Sequence, residues 1–234
     1  MGLYDRDYAR ERTFGYGAVQ RNEAQIVSFV KETYKLFAAS MLAGAAGAYV
    51  GIPMASAIHS FIWPLFFLEI GLLIGLHFVK HKPGVNLAVL FAFTFTTGIT
   101  LAPLLSMVLG MSGGAAIIGN AFAMTAFIVG GMSLFAIKTT KDFTGYGKPL
   151  MIALIVIIVG SLLNAFLIES SMLHIMIQAA VVLLFSILVV FDTQNIIQGN
   201  LDSPIDGAVA LYLDFLNIFT ALLQLFGIFG GSEE

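Results

Sequence analysis

Seven apolar stretches of about 20 residues, approximately 34–52, 60–79, 85–109, 115–137, 149–168, 172–197 and 207–229, decide what this chain can fold into. A bilayer core about 30 Å thick is crossed by about 20 helical residues, and backbone in lipid must satisfy its own hydrogen bonds, so each stretch reads as a transmembrane helix. The composition agrees, with 59% hydrophobic and 11% charged residues. The expectation is an all-α integral membrane protein with the lipid bilayer as its first partner. Residues 1–33 form a polar tail of mixed charge, 34–229 a seven-helix domain, and 230–234 a short C-terminal tail. The polar start and late first apolar stretch argue against a cleaved signal. There is no cysteine, which excludes disulfides and thiolate metal sites.

Charge placement gives a direction. Beyond Lys35, every Lys and Arg falls between the second and third stretches (Lys80, Lys82) or between the fourth and fifth (Lys138, Lys141, Lys148). The positive-inside rule then places the N-terminus and the loops after the second, fourth and sixth spans in the cytoplasm, with the C-terminus opposite. Gly44, Gly47 and Gly51 in the first span, and Gly71 and Gly75 in the second, recur at the spacing that brings helices close. Pro103 should kink the third span, where Thr94, Thr97 and Thr100 can re-satisfy freed backbone groups or line a polar path.

Two aspartates stand where lipid would be expected. A carboxylate near the bilayer centre costs about 2.5 to 3.5 kcal/mol on insertion scales, so Asp192 and Asp214 should face protein or water. On the last span Gly207, Ala210, Asp214, Asn217, Ala221 and Gln224 share one stripe, with large apolar residues around the remainder. Such a helix belongs in the middle of the bundle, ringed by the other six. Asp192 and Asp214 lie at similar depths on antiparallel neighbours and can meet, while Gln178 and Asn195 share the face of Asp192. Glu69, mid-helix in the second span, should also point inward, and Lys80, eleven residues on, can reach toward the aspartates. His77 and His81 have metal-binding spacing but no third ligand nearby.

The stretches Phe191-Asp192-Thr193-Gln194-Asn195-Ile196-Ile197 and Ala210-Leu211-Tyr212-Leu213-Asp214-Phe215-Leu216-Asn217-Ile218-Phe219, with Leu222-Leu223-Gln224-Leu225-Phe226-Gly227, resemble the signature of the Bax inhibitor-1 (transmembrane Bax inhibitor motif) family. Leu68-Glu69 and Thr97-Gly98-Ile99-Thr100-Leu101-Ala102-Pro103 resemble it too, and the likeness is to bacterial members. The resemblance implies six helices around a central seventh and a pH-sensitive calcium leak of the bacterial inner membrane. It implies a gate made of the hydrogen-bonded pair Asp192 and Asp214. Lys80 stands where the family has a basic latch to the first aspartate, but a lysine cannot form arginine's planar bidentate pair.

Carboxyls in contact cannot both ionise cheaply and share a proton, which makes a pH switch. Their oxygens suit calcium, but two aspartates make only a weak, transient site. An intramembrane aspartyl protease is the competing enzyme class, yet Asp214 follows Leu211-Tyr212-Leu213 rather than Gly-x-Gly, and Pro-Ala-Leu is absent. No enzyme activity, cofactor or nucleic-acid partner is expected. The remaining alternative, also from the resemblance, is a modulator of a membrane-bound quality-control protease.

Overall fold

The computed structural model describes residues 22–230, with side chains to 228; residues 1–21 of the expected tail and 231–234 lie outside the described residues. All regular structure in the described residues is helical. Helix α1 (Glu23–Gly51) begins inside the stretch assigned to the tail, because Asn22 and Gln25 form a reciprocal capping box with both bonds at 2.9 Å. Phe29 and Thr33 are buried, so this first part of α1 is packed structure. A 3-10 turn at Ile52–Met54, entered through Pro53, leads to the short α2 (Ala55–Ser60), which completes the first span.

The other spans are α3 (Ile62–Val79), α4 (Val85–Leu109), α5 (Gly114–Lys138), α6 (Gly147–Leu163) with its π-turn Asn164–Ile168, α7 (Ser171–Ile197) and α8 (Pro204–Gly230). Among the described residues, seven helical spans are thus long and apolar enough to cross a membrane. The turn after α6 needs a left-handed residue, Glu169 (φ 52°), and Asn164 secures it through Ser170 N–H at 3.0 Å and Ser170 O at 3.2 Å.

Helix α8 holds the bundle together. Its most apolar window is 56% buried against 6% for α3 and for α6, so it is enclosed where they face lipid. It contributes to all three apolar clusters: Phe215, Ile218, Phe219, Leu222 and Leu223 with α4, α5 and α7; Ile205, Ala208, Val209 and Tyr212 with α1, α3 and α4; and Leu211 with Phe29 and Ile196. Its main packing partners are α7, α5 and α1, while α3 leans chiefly on α4 and α6 on α7.

The tightest helix pair is α1 with α4. A Cβ on Gly47 would overlap Phe95 O, one on Gly98 would overlap Gly44 O, and one on Gly51 would come within 2.7 Å of Ala102 Cβ. The expected close approach of Gly44, Gly47 and Gly51 is realised. Gly71 and Gly75 correct the same expectation for the second span, since nothing lies within 4 Å of either position. Their side of α3 is open to lipid.

Contacts between loops define the two ends. Lys80 meets Asp202 and Asp206, Gln194 holds the backbone of Lys141 and Phe143, and Thr33 touches the Gly207 position. The start of α1 and the loops after α3, α5 and α7 therefore share one end, which holds the basic residues. At the other end Gly227 of α8 faces Met111 of the α4–α5 turn, and Trp63 stacks on Phe166 with centroids 6.4 Å apart.

Candidate functional site

Asp192 lies five residues before the end of α7, about 8 Å from that terminus, and Asp214 ten residues into α8, about 15 Å along it. Their carboxyls come within reach of a shared hydrogen bond. Asp214 is 3% exposed, so the helix turns its acidic residue away from lipid and into the protein. No hydrogen-bond donor among the described residues reaches the buried Asp214 Oδ2, and Asp192 is the side chain placed to meet it. An ionised carboxylate only accepts, so a hydrogen bond between the two would require one proton held between them. Val189, Val190 and Phe215 flank the pair with buried apolar side chains.

The polar residues expected to support the pair do not all turn toward it. Asn217 Nδ2 donates to Leu213 O at 2.7 Å, and Asn195 Nδ2 to Phe191 O at 3.0 Å, so both amides are spent on their own helices. Asn195 Oδ1 accepts from Asn200 at 3.1 Å in the following loop. Gln178 does bridge α7 to α8, donating to Gln224 Oε1 at 3.3 Å, but ten residues of α8, about 15 Å, separate that bridge from Asp214. The interface has two polar stations with an apolar stretch between them.

Lys80 is the main correction. Its ammonium lies 2.9 Å from Asp206 Oδ2 and 3.2 Å from Asp202 Oδ2, not against the buried pair. The reason is position: Lys80 is the residue after α3, level with the loop that enters α8, while Asp214 sits two helical turns deeper. Burial works against the ammonium, but the hydrogen bonds and charges of Asp206 and Asp202 outweigh it and hold its pKa above the usual lysine value. Lys80 stays charged, and the pair's contribution to stability fades only as pH rises through that raised value.

Glu69 points inward as expected, accepting from the Thr100 hydroxyl at 2.5 Å across the α3–α4 contact. Beside it Thr97 Oγ1 lies 2.5 Å from Tyr212 OH, which donates to Thr94 O at 3.1 Å and ties α8 to α4. The helix runs unbroken through Pro103, but the Thr94, Thr97 and Thr100 hydroxyls bond to the Phe91, Thr94 and Thr97 carbonyls, not to the Ile99 carbonyl that the proline leaves without its helical donor. His77 and His81 gain no further ligand: among the described residues no three His, Asp or Glu side chains gather where a metal would sit.

Sequence reasoning passed over Asp202, Asp206 and Gln194. Asp206 was signalled by Ser203-Pro204-Ile205-Asp206, in which a serine three before an acid opens a helix. Gln194 accepts from Phe143 N–H at 2.6 Å and donates to Lys141 O at 2.8 Å, contacts to residues more than fifty positions away that no spacing announces.

The sequence model of a family described as inhibitor of apoptosis-promoting Bax1 matches residues 26–231. An uncharacterized protein of Campylobacter jejuni is 49% identical over 96% of this chain and 97% of its own length. One from Helicobacter pylori is 48% identical over the whole of both chains. YccA of Escherichia coli, a modulator of FtsH protease, is 33% identical over 65% of this chain and 70% of its own length.

Proposed function

This chain belongs to the Bax inhibitor-1 family, and on that premise we propose that it is a pH-sensitive calcium leak of the bacterial inner membrane, gated by Asp192 and Asp214. What supports the reading is the meeting of the Asp192 carboxyl on α7 with the buried Asp214 carboxyl on α8. A buried pair that shares one proton titrates as a unit. Loss of the proton sets two negative charges against each other, and either a cation enters between them or the helices part. Calcium prefers six to eight oxygen ligands, so two carboxyls hold it weakly, and weak binding is what conduction needs. The protein acts without catalysis. Its basic end faces the cytoplasm, as the lysine-bearing loops favour.

The test is calcium flux into liposomes carrying the purified protein. Flux should change steeply between about pH 6 and 8, and Asp214→Asn, which removes the shared proton, should flatten the response. Flux that is flat across this range, or that keeps its pH response in Asp214→Asn, rejects the gate.

A second reading follows from the likeness to YccA: modulation of a membrane protease of the FtsH kind. It predicts that the protein co-purifies with such a protease and slows its turnover of a membrane substrate. The polar residues 1–21 are the first segment to delete in testing it. Retained flux with no effect on proteolysis favours the leak.

A further inference from the structure

The end of α3 and the start of α8 are joined by a three-member ion cluster that the aspartate pair does not need for its own hydrogen bond. Lys80 is 9% exposed although it is charged, and its backbone is fixed as well, with Lys80 O accepting from Asn86 Nδ2 at 3.0 Å. Asp206 is the nearer and more buried of its two partners, at 28% side-chain exposure against 59% for Asp202. The same Asp206 oxygen accepts the Ser203 N–H at 3.2 Å, while Ser203 Oγ accepts from Ile205 N–H at 3.3 Å. One carboxylate thus both caps α8 and grips Lys80. The surplus negative charge lies at the N-terminus of α8, where the helix dipole favours it. Beneath the ions, Leu76 of α3 packs in one cluster with Ile205, Ala208 and Val209.

Elsewhere α3 packs chiefly on α4, so this cluster is its principal hold on the central helix. Asp214 lies eight residues past Asp206, about 12 Å along a rigid helix. A shift of the first turn therefore displaces Asp214 against Asp192.

We propose that Asp206 and Asp202 are positioning residues for the aspartate pair: by gripping Lys80 they fix the first turn of α8 to the end of α3 and so set how Asp214 meets Asp192. This deepens the leak reading and rests on it for its functional meaning. The latch of this chain holds the helix that carries the gate and does not touch the gate itself.

Two readouts that need no transport test it, both on the full chain in lipid nanodiscs. The first is amide hydrogen exchange over residues 204–212. Lys80→Ala and Asp206→Asn should each speed it about tenfold, Lys80→Arg should preserve protection, and Lys82→Ala should leave it unchanged as a control for net charge. The second is the pH titration of the protonated-carboxyl infrared band that Asp214→Asn removes. Its midpoint should move by about half a unit, roughly threefold in proton affinity, in Lys80→Ala and in Asp206→Asn, and return in Lys80→Arg. Unchanged exchange overturns the clamp. Faster exchange with an unmoved midpoint overturns the positioning role and leaves only a structural tie. Calcium flux measured in parallel judges the leak: a band that shifts as described in a protein without flux upholds the clamp and rejects the leak.

Discussion

A single added methyl group measures how closely α1 and α4 approach. At Gly47 it would run into the Phe95 carbonyl, a backbone atom that cannot rotate aside, and at Gly98 into the Gly44 carbonyl. Gly47→Ala should therefore lower stability by about 1 to 3 kcal/mol, the usual cost of overpacking a well-filled contact. Gly71→Ala, with nothing within 4 Å, should be neutral or gain about 0.5 to 1 kcal/mol from helix propensity. Thermal unfolding of the two variants in one detergent is the comparison, and a Gly47→Ala protein as stable as its parent would contradict the α1–α4 contact. Gly44, Gly47, Gly51, Gly71 and Gly75 look alike in sequence because spacing selects a face without saying what lies opposite. The site shows the same division. Asp192 and Asp214 were legible because a carboxylate in a lipid-length segment needs a partner, and each was the other's best candidate. The true partners of Lys80 were hidden because a long side chain at a helix end chooses among acceptors by their place in space, and Asp202 and Asp206 lie 122 and 126 residues away.

Among elements, Gln194 ties the α5–α6 loop to the end of α7. Gln194 serves Phe143 N–H and the Lys141 and Ala136 carbonyls, the last at 3.4 Å, while the Phe143 ring packs on Phe135 with centroids 6.1 Å apart. Gln194→Ala leaves the Phe143 amide unsatisfied, which costs about 1 to 3 kcal/mol where it is buried, and should release residues 139–146. Trypsin cleavage after Lys141 in open membranes should then run several-fold faster than in the parent; an unchanged rate would mean that the loop is held by something else. Apart from the first span, which runs Glu23–Ser60 against an expected 34–52, span positions were legible to within a few residues because twenty apolar residues in a row have one physical meaning. Helix ends were less so. The polar first turns of α1 lie beyond the hydrocarbon, where apolarity no longer marks a helix, and the evidence for them is the Asn22–Gln25 capping box and the burial of Phe29. α8 likewise begins at Pro204, three residues before its apolar stretch, because Ser203 and Asp206 cap it there.

At the scale of the molecule, the fold defines two ends and the charges decide which faces the cytoplasm. Lys80, Lys82, Lys138, Lys141 and Lys148 all fall in or beside the loops that share an end with the start of α1, whereas the turns around Ser56 and Ser112 carry neither Lys nor Arg. Retaining a lysine on the cytoplasmic side is favoured both by membrane insertion and by the anionic inner leaflet, so the whole bundle should be oriented by five residues in two short loops. The chain has no cysteine, and single replacements therefore report without background. Ser56, Ser112 and Thr140 are all exposed, which makes sidedness, and not burial, the variable. Ser56→Cys and Ser112→Cys should react with an impermeant maleimide added outside intact cells or spheroplasts, and Thr140→Cys only after the membrane is opened. Labelling of Thr140→Cys from outside with Ser112→Cys protected would invert the molecule. It would also put the ion cluster of Lys80, Asp202 and Asp206 on the outer face, so that Asp192 and Asp214, nearer that same end, would answer to external rather than cytoplasmic pH.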